Sequence, residues 1–156
     1  MPKSRKKVKI SAEKEKAIQR KMVMKLKEEN PDMFIKEEVE FDVPDKLKKT
    51  RKSYYPDIVG LDRNGQVSIV ECKKGKFITP SAGLGKLLLY RLLIRDDFPL
   101  FKEQLKEYFD KEVVDRVNEN NIKYILALSE GDDEARVEFL KELVNGTRPK
   151  VELCFV

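Results

Sequence analysis

The sequence predicts an α/β domain with a mixed central sheet flanked by helices on both faces. Short runs such as Ile122–Leu128 are apolar at almost every position, the pattern of strands covered on both sides. Longer stretches between such runs carry apolar residues at helical spacing, as in Ile18, Met22 and Leu26. Two further β-type runs flank the turn signal Asp62-Arg63-Asn64-Gly65.

Residues 1–10 read as a flexible basic arm, and residues 11–156 as one domain long enough for a core. Ser11 can cap a helix that runs to about Asn30, where Pro31 stops it. Glu15 falls on the same stripe as Ile18, Met22 and Leu26, an unusual place for an acid; helix-dipole stabilisation near an N-terminus is the alternative to a functional role. Residues 33–43 give a first strand, and 44–53 a basic loop. A second helix opens at Thr79 as cap with Pro80 at its first position. Residues 99–119 read as one or two amphipathic helices (Phe101, Leu105, Tyr108, Phe109, Val113, Val117). Ile122–Leu128 is a strand, 132–145 a helix closed by Asn145-Gly146, and Val151–Val156 a final strand.

The hairpin in the middle of the chain carries the most chemical information. Residues 55–73 place Asp57, Glu71 and Lys73 among Val and Ile, where a half-buried strand should be apolar. Uncompensated charge on a buried sheet face costs several kcal/mol per ion. A two-residue Asn64-Gly65 turn would put Asp57 on the opposite face from Glu71 and Lys73. A three-residue loop, a type I turn followed by a glycine bulge, suits Asp62-Arg63-Asn64-Gly65 better, with Asp at the first turn position and Gly at the fourth. In that register Asp57 lies opposite Glu71, Val59 opposite Ile69, Leu61 opposite Val67 and Tyr55 opposite Lys73, while Ile58 meets Val70 and Pro56 meets Cys72. Apolar meets apolar on both faces, so the bulged register is the expected one. Two carboxylates directly opposite each other repel. Mg²⁺ or Mn²⁺ would turn that repulsion into coordination, because hard cations take oxygen ligands. Lys73 shares their face and can offset their charge, orient a water, or stabilise a phosphorane-like transition state. A Lys–Glu–Asp cluster also occurs as an ordinary ion pair at a sheet edge, but the acid-x-Lys pattern occurs only at Glu71-Cys72-Lys73.

Pro56-Asp57 followed by Glu71-Cys72-Lys73 resembles the signature of the PD-(D/E)XK nuclease superfamily. Over roughly residues 11–128 the element order is similar to that family's restriction-endonuclease-like αβββαβ core, with 99–119 unassigned. The resemblance implies a Mg²⁺-dependent (or Mn²⁺-dependent) phosphodiesterase acting on DNA, in which Asp57, Glu71 and the backbone carbonyl of Cys72 hold the metal and Lys73 assists the attacking water. Proteins resembling this family often carry a glutamate on the first helix near the metal, which makes Glu15 a candidate ligand and Glu13 a weaker one. Gly85-Lys86-Leu87-Leu88-Leu89-Tyr90-Arg91 is similar to the family's glutamine-leucine…tyrosine helix, with Lys86 in place of the glutamine. A lysine there can hold a phosphate; Tyr90, one turn on, reads as core. Small archaeal junction resolvases share this core and motif type and act as homodimers, so a resolvase-like nuclease is the nearest alternative. A catalytically silent nucleic-acid-binding module is the alternative from another class.

Composition bounds the setting. Charged residues make up 39% of the chain against about 25% in an average domain, a Lys/Glu-rich balance that fits a thermophilic source. Histidine is absent, which removes imidazole general-base catalysis. Cys72 and Cys154 form no disulfide or zinc pattern and read as small core hydrophobes, so an intracellular, cytoplasmic location is expected. No secretory signal or membrane span is evident. Lys3, Arg5, Lys6, Lys7 and Lys9 account for the whole excess of 33 basic over 28 acidic residues. A second basic cluster, Lys46, Lys48, Lys49, Arg51 and Lys52, precedes the Pro-Asp segment and is expected to contact nucleic acid. Tyr54 and Tyr55 are stacking candidates or core. Gly83-Leu84-Gly85-Lys86 is not a nucleotide-binding loop, because that would need Gly at Pro80 and Ser or Thr at Leu87; no nucleotide cofactor is expected.

Overall fold

In the computed structural model the described residues are 2–49, 52–74, 78–130, 134–147 and 150–156. Helix α1 spans Pro2–Glu29. Residues 2–10 of the expected basic arm therefore open this helix, and Ser11 is an interior residue instead of a cap. Pro2 suits a first turn, and the Lys- and Arg-rich run behind it contains no glycine or further proline to stop propagation. The helix ends just before Asn30-Pro31, as expected. Ile18, Met22 and Leu26 are buried on one stripe.

The strand expected over 33–43 is two. Strand β1 is Phe34–Glu37 and β2 is Phe41–Asp42. Between them Glu38 takes a left-handed conformation with φ of 55°, which turns the chain out of the first sheet. Its side chain is held by Lys16 at 2.9 Å and its amide donates to the Asp57 carbonyl at 3.0 Å. A 3₁₀ turn (Asp45–Leu47) leads to β3, Ser53–Tyr54, which pairs with β2 in a separate two-stranded ribbon. That ribbon packs through Phe41, whose ring lies 5.3 Å from Tyr54 and 5.2 Å from Phe101.

Strands β4 (Ile58–Leu61) and β5 (Val67–Lys73) form the hairpin. Helix α2 covers Ile78–Asp96, so Thr79 and Pro80 sit inside its first turn, where a missing N–H is harmless. The segment 99–119 contains two helices, α3 (Phe98–Leu105) and α4 (Lys111–Val114), capped by Asp97 and Asp110. Strand β6 (Ile122–Leu128), α5 (Glu134–Asn145) and β7 (Val151–Phe155) complete the chain.

The main sheet has the order β1-β4-β5-β6-β7. Pairs β1/β4 and β4/β5 are antiparallel; β5/β6 and β6/β7 are parallel. The mixed α/β architecture expected from the sequence is the one observed. One sheet face carries Val59, Leu61, Val67, Ile69, Leu126 and Leu128 against Leu87, Tyr90 and Ile94 of α2 and Phe101 and Leu105 of α3. The other carries Ile58, Val70, Cys72, Ile125 and Ala127 against Ile18, Met22 and Leu26 of α1. Burial on both faces explains why β4 to β6 read as continuous apolar runs. Among the described residues no helix is long and apolar enough to cross a membrane. Both cysteines are free thiols.

Candidate active site at the open end of the hairpin

The hairpin adopts the bulged register. Ile58 pairs with Val70, Val59 with Ile69, Gly60 with Ser68 and Leu61 with Val67. The Gly65 amide donates to the Asp62 carbonyl at 3.1 Å, and Asp62 and Gln66 close the loop at 3.0 Å. The Asp62 side chain accepts the amides of Asn64 and Gln66, both at 2.9 Å. Gly65 has φ of 88°, and a Cβ there would lie 2.6 Å from the Arg116 backbone. Only glycine meets both conditions. One step beyond the Ile58–Val70 pair, the same register sets Asp57 across from Glu71.

Pro56 shapes what happens there. The Cys72 amide is bonded by a side chain in place of a backbone carbonyl. Asp57 takes over the pairing, its Oδ2 accepting the Cys72 amide at 2.7 Å. In a strand the amide and carbonyl of one residue point the same way, so the Cys72 carbonyl faces the same edge, and Pro56 has no N–H to give it. The Asp57 carbonyl in turn accepts from Glu38 at 3.0 Å and from Gln19 Nε2 at 3.3 Å. Gln19 also donates to Glu37 at 3.0 Å. Helix α1 and the left-handed turn after β1 thus clamp Asp57 from behind.

Glu71 is buried at 1% exposure, and its carboxyl and that of Asp57 act on each other electrostatically. The Tyr90 hydroxyl reaches two acceptors, Glu71 Oε1 at 2.9 Å and the Tyr55 carbonyl at 3.3 Å. Burial, reinforced by the neighbouring Asp57 charge, pushes Glu71 up to about 7, against the opposing pull of Tyr90, Lys86 and Lys73. Burial also raises Asp57, while the Cys72 amide, Lys73, Lys86 and Glu71 itself pull it back. Two acids this close and this dry titrate as a coupled pair, both held above the usual carboxylate range.

Two cations act on the pair. Lys73 follows Glu71 on the same strand face and is half-buried, its Nζ 3.9 Å from Glu15 Oε1. Lys86, exposed on α2, acts on both carboxylates. Helix α2 lies close over the strand because residue 83 is glycine. A Cβ there would come 2.7 Å from Lys73 Cγ and 2.8 Å from Leu126 Cδ1.

Asp57, Glu71, Lys73, Lys86 and Glu15, singled out from the sequence, are therefore brought to one end of β5. Glu15 reaches Lys73, and it lies well past the first turn of α1, so helix-dipole stabilisation does not account for it. Among the described residues no three His, Cys, Asp or Glu side chains form a metal-binding group, so Glu15 is not gathered with the carboxyl pair as the expected third ligand. A magnesium ion needs only one or two carboxylates and keeps several waters. Asp57, Glu71 and the Cys72 carbonyl supply hard oxygen donors of that kind, and the donor set fits. The Cys72 thiol takes no part: it packs against α1, and burial raises its pKa.

The basic cluster is placed differently. Lys46 Nζ contacts Asp96 at 2.6 Å and Lys48 contacts Asp45 at 2.8 Å. Asp96 ends α2, about 20 Å along the helix from Gly83. Adjacency to the Pro-Asp segment in sequence does not bring Lys46 to the carboxyl pair. Lys49 and Lys52 are exposed, and Arg51 and the side chain of Glu13 lie outside the described residues.

Three participants escaped the sequence reading. Tyr90 reads as core, and it is buried, yet its hydroxyl holds Glu71. Its spacing of one turn from Lys86 was the available signal. Gly83 carries no signal in one dimension beyond the rejected phosphate-loop pattern, and its role is the close approach of α2 to β5. Gln19 lies one turn beyond Glu15 on the same stripe of α1, which could have marked it. No protein-family model matches the chain, and no curated protein or solved structure matches it.

Proposed function

We propose that the chain is a metal-dependent endonuclease that hydrolyses phosphodiester bonds in DNA, a member of the PD-(D/E)XK superfamily with its restriction-endonuclease-like core. The observation that carries this reading is the Asp57–Glu71 carboxyl pair, Glu71 fully buried, within the electrostatic reach of Lys73 and Lys86. A structural cluster would match each carboxylate to a contacting cation. Among the described residues no ion pair reaches either Asp57 or Glu71.

In this reading Asp57, Glu71 and the Cys72 carbonyl hold Mg²⁺ or Mn²⁺. The ion supplies Lewis-acid polarisation of the phosphodiester and acidifies water at neutral pH. Lys86, exposed at the mouth, receives the phosphate charge. Lys73 orients the water for in-line attack and stabilises charge that builds on the phosphoryl oxygens. The chain has no histidine to accept the proton, so the carboxylates and solvent must carry it. Such an enzyme would act on DNA in the cytoplasm.

Plasmid, single-stranded and branched DNA incubated with Mg²⁺ or Mn²⁺ test the proposal. Wild type should cleave, and Asp57→Ala and Lys73→Ala should not; undiminished cleavage by both variants sinks the assignment. A branched junction cut in preference to linear duplex, by a homodimer, would make the enzyme resolvase-like. One observation favours the silent binding module: Tyr90 and the Cys72 amide give each carboxyl a hydrogen-bond partner without metal. Calorimetry showing no Mn²⁺ binding beside intact DNA affinity would decide for that module.

A further inference from the structure

Tyr55 stands apart from the other aromatic residues around the carboxyl pair. Its neighbour Tyr54 is in the core at 2% exposure, its ring stacked 5.3 Å from that of Tyr90. Tyr55 is 53% exposed. The other large apolar side chains facing solvent lie on helices (Met24, Leu92, Phe139, Leu143) or on the edge strand (Phe34). A single exposed hydrophobe is ordinary; one tethered beside buried carboxylates is not. The Tyr55 hydroxyl reaches Glu40 Oε1 at 3.3 Å, and Ser53 Oγ donates to the same oxygen at 2.9 Å. Its carbonyl lies 3.3 Å from the Tyr90 hydroxyl that bonds Glu71. Ring tip and backbone are both tied, leaving the ring open to solvent in a set orientation. Its Cα is at most about 7 Å of chain from that of Asp57.

We propose that Tyr55 is the stacking platform for an unpaired nucleobase, and that the site takes single-stranded DNA with a base beside the scissile phosphate laid on this ring. The inference rests on the nuclease reading and names its substrate class. In a duplex each base is covered by its neighbours, so it must leave the stack to meet a side chain. A protein ring accepts any base face, which makes the contact tolerant of sequence. Lys52, exposed three residues earlier, offers a cation for the backbone of the same strand.

The test is equilibrium binding, without divalent metal, of a labelled short oligodeoxythymidylate and of an abasic strand of equal length. Wild type and Tyr55→Phe should prefer the base-bearing strand by roughly 5- to 100-fold, the range expected for stacking. Tyr55→Ala should lose that preference and bind the abasic strand as wild type does. The inference is overturned if Tyr55→Ala keeps the preference, if Tyr55→Phe loses it too, if wild type shows none, or if Tyr55→Ala loses abasic binding as well. Cleavage by wild type without any base preference would remove the platform and leave the nuclease standing. A base preference in a protein whose cleavage ignores Asp57 and Lys73 would do the reverse.

Discussion

The carboxylate of Asp57 accepts the backbone amide of Cys72 at 2.7 Å, just beyond the last ladder pair of β4 and β5. Asp57 therefore supports the hairpin as well as offering oxygen to a metal. Asp57→Ala strands a buried amide, at about 1–3 kcal/mol, so its loss of activity would be ambiguous. Asp57→Asn keeps an acceptor and removes the charge. The expected outcome is a melting temperature at or above wild type with Mg²⁺-dependent cleavage abolished. Cleavage retained by a well-folded Asp57→Asn protein would remove Asp57 from the chemistry.

Glu71 makes stability depend on pH in a stated direction. Its carboxyl titrates near 4.5 when unperturbed and near 7 in the fold. Between those values the folded protein holds a proton that the unfolded chain has released. Stability therefore falls as pH rises through this window and levels off above it, by at most about 3 kcal/mol. The raised Asp57 pKa acts in the same direction. Thermal melts from pH 4.5 to 8 should show this decline in wild type and a shallower one in Glu71→Gln, which has no proton there to lose. Adding Mn²⁺ at pH 8 should recover stability in wild type alone. A wild type indifferent to Mn²⁺ would argue against the metal site.

The Tyr90 hydrogen bond favours the charged form of Glu71 and opposes the upward push of burial. Tyr90→Phe removes that bond, so the Glu71 pKa rises further and the acid limb of the activity–pH profile moves to higher pH. The lost buried hydrogen bond costs about 1–2 kcal/mol. A profile that keeps its position while overall activity drops would assign Tyr90 a packing role only.

Gly83 and Gly85 lie two residues apart on α2 and should respond oppositely to alanine. At Gly83 the added methyl meets Lys73 and Leu126; at Gly85 nothing lies within 4 Å. Gly85→Ala should stabilise by about 0.5–1 kcal/mol through helix propensity, with activity unchanged. Gly83→Ala should destabilise by about 1–3 kcal/mol and displace Lys73, lowering turnover more than stability alone explains. Chemical denaturation and cleavage rates on both variants decide between these outcomes.

Local chemistry made much of this chain legible. The bulged loop could be read because Asp62 and Gly65 are each demanded by one turn geometry, and that register by itself sets Asp57 across from Glu71. Strand Ile122–Leu128 could be read because burial on both faces leaves a continuous apolar run. Other features depend on contacts between distant segments. The break at Glu38 rests on Lys16 and on the Asp57 carbonyl, so the alternation of 39–43 gave no warning of it. The start of α1 lies nine residues before Ser11; a capping serine and an interior serine look alike in one dimension. Tyr90 carries both a core signature and a polar handle, and only the packing of α2 over β5 aims that handle at Glu71. The sequence by itself determined which charged residues share one sheet face, since strand period and turn type are short-range. The tertiary structure alone decided which of them act on one another: Lys86 comes within electrostatic reach of the pair across the α2–β5 contact, while Lys46 is drawn to Asp96 near the other end of the same helix. Those pairings depend on how closely a helix can approach a strand, and here the missing side chain of Gly83 sets that distance.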